Sequence, residues 1–208
     1  MRAFIYTGGE INPANITEHP KGDDIIIAAD SGYRNALALG ENPHILLGDM
    51  DSLGSMSIPE KTEILQVPAE KDFTDTQLAV DTAIKKGASE IIIIGGLDGR
   101  LDHTLSNLSI LEELDKRRIH AHITNGFNRV RFLNSTSTLI AGSGFKYLSL
   151  VCVSEKAKGV SMEGCKYPLD NAKLVRDYQF AVSNEIVGNC ALISVRKGQL
   201  YIIESTDC

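Results

Sequence analysis

Ile91-Ile92-Ile93-Ile94-Gly95-Gly96-Leu97-Asp98-Gly99-Arg100-Leu101-Asp102-His103 is the stretch that decides the fold. Four isoleucines halted by two glycines read as a strand covered on both faces. Beyond them Leu101, Leu105, Leu108, Leu111 and Leu114 recur at three- and four-residue intervals, which predicts a helix with those leucines as its stripe. Further apolar runs lie on either side at Ala3–Tyr6, Ile25–Ala29, Ile45–Leu47, Glu63–Val67 and His120–Thr124. A helix is expected over Tyr33–Leu39, closed by Gly40 with Pro43 beyond. Another starts at a Thr74-x-x-Gln77 capping box, carries Leu78, Ala79, Ala83 and Ile84 on one face, and ends at Gly87. Strand–helix–strand repetition implies right-handed crossovers and a mainly parallel sheet. Residues 1–125 are therefore read as an α/β, Rossmann-like domain.

After Asn125-Gly126 the period changes. Arg129–Leu133, Thr138–Ala141, Phe145–Val153, Arg176–Val182, Ala191–Val195 and Tyr201–Glu204 are short and partly alternating. Turn signals separate them at Ala141-Gly142-Ser143-Gly144, Asp170-Asn171 and Arg196-Lys197-Gly198-Gln199. Residues 126–208 read as a smaller all-β antiparallel sandwich or barrel.

The chain has 208 residues, enough for one large domain or two small ones, and 43% hydrophobic with 23% charged residues is ordinary for a globular protein. A net charge of −6 argues against a nucleic-acid partner, which needs basic surface, but not against ATP. The four cysteines show neither C-x-x-C spacing nor histidines at zinc intervals, so free thiols in a reducing cytoplasm are expected. The apolar run near the N-terminus is too short for a signal peptide, and nothing approaches the roughly 20 apolar residues of a membrane span. The expected location is the cytoplasm, with no membrane partner.

Three acidic motifs follow apolar runs directly: Gly48-Asp49-Met50-Asp51-Ser52, Glu70-Lys71-Asp72-Phe73-Thr74-Asp75, and the glycine-rich stretch quoted first. Loops after parallel strands converge on one sheet edge, where α/β proteins bind ligands. Two unit charges 4 Å apart repel by about 4 kcal/mol at an effective dielectric of 20. A hard divalent cation relieves that repulsion, and Mg²⁺ with phosphate oxygens is the usual occupant.

Taken singly, each motif has two readings. Asp49 and Asp51 bracket one cation, or they form a Gly-Asp turn followed by a helix cap. Asp75 binds a metal, or it is the first residue of a helix whose dipole favours a negative charge, with Thr74 as the cap. Gly96 and its neighbours let backbone approach a phosphate, with Arg100 suited to a bidentate contact, or they form a turn with Asp102 as cap. Asp30-Ser31-Gly32 also ends a strand and opens a helix, which makes Asp30 and Gly32 nucleotide-contact candidates. His120 and His122 alternate on a strand and are read as structural. The G-x-x-x-x-G-K-[ST], G-x-G-x-x-G and G-x-S-x-G patterns are all missing.

In order and spacing, Gly48-Asp-Met-Asp-Ser52, Lys71-Asp-Phe-Thr-Asp75 with Thr76-Gln77, and Gly95-Gly-Leu-Asp-Gly-Arg-Leu-Asp102 resemble the thiamine pyrophosphokinase (thiamine diphosphokinase) family. Ser183-Asn184-Glu185 is similar to that family's thiamine-contact segment. The resemblance implies a homodimer, with its site near the subunit and domain interface. The implied reaction transfers the diphosphoryl group of ATP to the hydroxyethyl oxygen of thiamine, giving thiamine diphosphate and AMP. It further implies Asp49, Asp51, Asp72 and Asp75 as the Mg²⁺–ATP acids and Gln77 as a nearby polar contact. Arg100 and Asp102 would lie where phosphates meet the acceptor, making Asp51, Asp75, Arg100 and Asp102 the catalytic candidates. Ser183 and Asn184 would bind thiamine. One departure stands out: many members carry Ala-Asp-Gly-Gly-Ala-Asn where this chain has Ala29-Asp30-Ser31-Gly32-Tyr33-Arg34. Two rival readings are a Mg²⁺-dependent phosphohydrolase and a nucleotide-sensing module whose acids are helix caps.

Overall fold

A computed structural model describes residues 1–48, 57–66 and 72–207, and the chain divides into two units, Met1–Gly126 and Phe127–Cys208. Among the described residues the first holds six strands and three α-helices, besides a 3-10 turn at Pro13–Asn15: β1 (Arg2–Tyr6), β2 (Ile25–Ala29), α1 (Gly32–Ala38), β3 (Ile45–Gly48), β4 (Glu63–Gln66), α2 (Asp75–Lys85), β5 (Glu90–Ile94), α3 (Leu101–Lys116) and β6 (His120–Thr124). Their order is β4-β3-β2-β1-β5-β6, and every pairing is parallel. Ala3–Tyr6 and Ile91–Ile94 are wholly buried, as runs covered on both faces should be. The edge strand β4 departs from this. Ile64 is half exposed there, because an edge strand has a neighbour on one side only.

The helices follow the expected signals, with two corrections. Thr74 Oγ1 accepts the Gln77 N–H at 3.1 Å and caps α2, but the Gln77 amide turns away to Glu113 at 3.3 Å. Only half of the capping box forms. Thr74→Ala should lower stability by about 1 kcal/mol, measured by urea denaturation. On α3 the leucine stripe is not the buried face at its start, since Leu101 and Leu105 are 70% and 56% exposed. The buried face is Asn107, Ile110, Leu111 and Leu114, with Asn107 bonded to the glycine loop at Gly96 O.

The second unit is a sandwich of two antiparallel sheets. One is β7 (Asn128–Asn134), β13 (Gln199–Ser205) and β9 (Tyr147–Cys152). The other is β11 (Leu169–Val175), β10 (Lys156–Glu163), β12 (Cys190–Lys197) and β8 (Ser137–Ala141). Leu133, Leu150, Leu200 and Ile202 from the first sheet meet Val160, Met162, Ile193 and Val195 from the second in one core.

Two sequence expectations fail here. Arg176–Val182 is not a strand: Tyr178, Phe180 and Val182 are 69%, 47% and 47% exposed while Ala181 is buried, so the apolar alternation runs out of phase with burial. Strands β10 and β11 lack a clean alternation because their register shifts twice, beside Gly159 and beside Asp170-Asn171. Asp170-Asn171 is a bulge inside β11 rather than the turn its composition indicates.

Among the described residues Cys152, Cys165 and Cys190 are free, and no helix is long and apolar enough to cross a membrane. His122 is buried beside Glu18 at 3.4 Å.

Candidate active site

From β1 the chain steps outward through β2, β3 and β4, then returns to place β5 and β6 on the other side. The β1/β5 boundary is thus the point where strand order reverses, and a crevice opens at the carboxyl ends of those strands. A cavity of about 400 Å³ lies there, bordered by Thr7–Gly9 after β1, Asp30 and Ser31 after β2, Thr74–Thr76 at the start of α2, and Gly96, Asp98–Arg100 and His103 after β5.

The walls are tied by specific bonds. Gly96 N–H donates to Gly8 O at 3.0 Å and Gly95 N–H to Thr124 O at 2.8 Å. Those two amides tie the glycine loop to Gly8 and to the end of β6 rather than facing a ligand. Buried Asn107 on α3 donates to Gly96 O at 3.0 Å. From α1, Asn35 Nδ2 donates to Thr7 O at 2.7 Å and to Gly9 O at 3.0 Å. Gly32 makes this packing possible: a Cβ there would lie 2.1 Å from Tyr6 O, so α1 rests directly on the β1 backbone. Asp30 holds a left-handed backbone, φ 49°, at the mouth of the same cavity.

Arg100 and Asp102 are partners. The guanidinium donates to the Asp102 carboxylate at 2.6 Å and 3.1 Å, with the side chains 74% and 62% exposed. The pairing raises the Arg100 pKa, and the Arg100 bond chiefly holds Asp102 below the usual carboxylate range, helped by His103 N–H at 3.0 Å. Asp102 is no helix cap: it lies in the first turn of α3, whose cap position is Arg100.

Of the candidates, Asp30, Asp75, Gly96 and Arg100 border the cavity. Gly32 supports it from beneath, and Asp102 reaches it through Arg100. Asp72 is exposed and Gln77 bonds Glu113, and neither is among the lining residues. Asp49 and Asp51 lie outside the described residues. Ser183 and Asn184 belong to the second unit. Ser183 is exposed with φ 58°, whereas Asn184 is buried and its amide holds Tyr167 by accepting its N–H at 3.0 Å and donating to its carbonyl at 2.6 Å.

Thr7, Asn35, Asp98 and Asn107 were not singled out by their sequence surroundings. A signal existed only for Asn107, a polar residue on the apolar face of a helix. Among the described residues no three His, Cys, Asp or Glu side chains are grouped to hold a metal. Magnesium needs no such cage, since it commonly takes one or two carboxylates and fills its shell with phosphate oxygens and water. Asp75 on the cavity wall fits that donor set.

Residues 18–123 match the family thiamin pyrophosphokinase, catalytic domain, and residues 136–200 match the thiamin pyrophosphokinase vitamin B1 binding domain. The chain belongs to the thiamin pyrophosphokinase family. It is 31% identical over 209 residues to thiamine pyrophosphokinase of Bacillus subtilis (strain 168), covering 98% of both chains. Among solved structures, thiamine pyrophosphokinase from Bacillus subtilis superposes with a TM-score of 0.86 at 27% identity over the whole of both chains. Thiamin pyrophosphokinase from Geobacillus thermodenitrificans follows at 0.83 and 26%, covering all of this chain and 98% of that one. The expected α/β unit followed by an antiparallel β unit is the architecture found. In thiamin pyrophosphokinase terms, the acidic segment leading into α2 and the Gly95–Asp102 loop both fall in the catalytic match, and Ser183-Asn184 falls in the vitamin B1 match.

Proposed function

We propose that this chain transfers the diphosphoryl group of ATP to thiamine, with the cavity at the β1/β5 boundary holding the triphosphate. The observation that carries the reading is that Asp30, Asp75 and Arg100, all within the catalytic-domain match, stand together on the walls of that cavity. The hydroxyethyl oxygen attacks the β-phosphorus, the bond from that phosphorus to the α,β-bridging oxygen breaks, and AMP departs with that oxygen while the hydroxyl proton passes to solvent water. Such chemistry asks a protein mainly for positioning and charge neutralisation.

Arg100 presents a planar fork of donors for phosphate oxygens. Asp102 fixes that fork's direction, and it orients the acceptor hydroxyl. Asp75, at the start of α2, and Asp49, Asp51 and Asp72 are the proposed Mg²⁺ ligands. When bound, the ion neutralises charge on the phosphate oxygens. Ser183 is the proposed thiamine contact, and Asn184 supports that segment by holding Tyr167. Asp30 and Gly32 serve the nucleotide side, the latter by seating α1. A homodimer in the cytoplasm is part of the same proposal, testable by light scattering and fractionation.

Incubation with ATP, Mg²⁺ and thiamine should yield AMP and thiamine diphosphate in equal amounts. Phosphate released without thiamine would favour a phosphohydrolase instead. ATP bound with no AMP formed would favour a sensing module.

A further inference from the structure

Asp98 has no part in the mechanism above, yet it grips the loop on the far side of the cleft. Its Oδ2 accepts the Glu10 N–H at 2.8 Å across 88 residues of sequence. Its Oδ1 is enclosed and has no hydrogen-bond partner among the described residues. A Cβ on Gly9 would lie 2.0 Å from that oxygen, and Gly9 itself has φ 103°. The carboxylate is therefore seated on the Gly9–Glu10 backbone, in a fit that only glycine allows.

Other bonds leave this corner to Asp98. Gly96 secures Gly8, and Asn35 secures the carbonyls of Thr7 and Gly9 from the α1 side. Asp98 secures the Gly9–Glu10 end from the β5 side. A carboxylate accepting a backbone N–H makes one of the stronger hydrogen bonds available to a loop.

We infer that Asp98 is a positioning residue for the nucleotide: by holding Glu10 N–H it sets the Gly8–Gly9 wall against which the ATP phosphates and sugar lie. This rests on reading the cleft as the ATP site. A wall that serves ATP alone should affect ATP alone.

The test is steady-state kinetics of the full chain, with ATP and thiamine varied separately and folding at assay temperature checked by melting. Asp98→Ala should raise the ATP KM about tenfold and leave the thiamine KM within about twofold, the scale of one charge-assisted hydrogen bond. Asp98→Asn keeps an oxygen that can accept from Glu10 and should return the ATP KM to within about threefold of wild type. Gly9→Ala should weaken ATP binding too, and the Gly9→Ala/Asp98→Ala pair should be no worse than Gly9→Ala alone, because both act on one contact.

An unchanged ATP KM in folded Asp98→Ala overturns the inference, as does an equal rise in both KM values. An asparagine variant as impaired as alanine does so as well, since charge rather than the bond would then matter. Asp98→Ser, too short to reach Glu10, provides the same readout if the alanine variant does not fold. If wild type forms no AMP from ATP and thiamine, the functional reading fails instead, and calorimetric ATP affinity of wild type against Asp98→Ala still decides the wall.

Discussion

Arg100→Ala should lower kcat by about 10²–10³-fold at saturating ATP and thiamine, the effect typical of removing one preorganised stabiliser of developing charge. The melting temperature should hardly move, because the side chain is 74% exposed and its bonds run to Asp102, itself largely exposed. Catalysis and stability are thus separable at this position. Arg100→Lys should recover only part of the loss, since an ammonium supplies charge without the two-pronged geometry. Wild-type kcat in Arg100→Ala would remove the residue from the reaction. A large fall in melting temperature would assign it to structure.

Gly32→Ala tests how the fold positions the site. A methyl group there would lie 2.1 Å from Tyr6 O, and backbone cannot step aside as a flexible side chain can. Helix α1 must lift from β1, which should destabilise the protein by about 3 kcal/mol, at the upper end of ordinary overpacking. For a chain of this size that corresponds to roughly 6–12 °C in melting temperature. Lifting α1 also moves Asn35, which holds Thr7 and Gly9. Activity measured well below the transition should therefore fall as well. A variant that melts within about 1 °C of wild type would contradict the described contact.

These two residues also mark what could be read from letters alone. Arg100 stands in a motif whose residue types announce phosphate chemistry, and Gly32 opens a helix directly after a strand. The buried strands were legible because isoleucine and alanine runs fully covered on both faces leave no polar interruption, as in Ile91–Ile94. Strand β10 was not. Gly159 inserts a bulge between Ala157 and Val160, so the buried positions no longer alternate. Arg176–Val182 misled for the opposite reason: it alternates well, but with its aromatic side chains toward solvent.

Within the site, the walls were the illegible part. Asn35 and Asp98 act through bonds to backbone at Thr7 and Glu10, and no local pattern records contacts made 28 and 88 residues away. Gln77 shows the same limit. Its capping-box spacing is correct, yet Glu113 on α3 captures its amide.

The most direct measurement is a crystal structure of the protein with Mg²⁺ and α,β-methylene-ATP, which cannot break at the α,β bridge. The triphosphate should lie between Thr7–Gly9 and Gly96–Arg100, with Arg100 on phosphate oxygens and Asp75 beside the cation. An analogue bound away from the β1/β5 boundary, with those loops empty, would contradict the account.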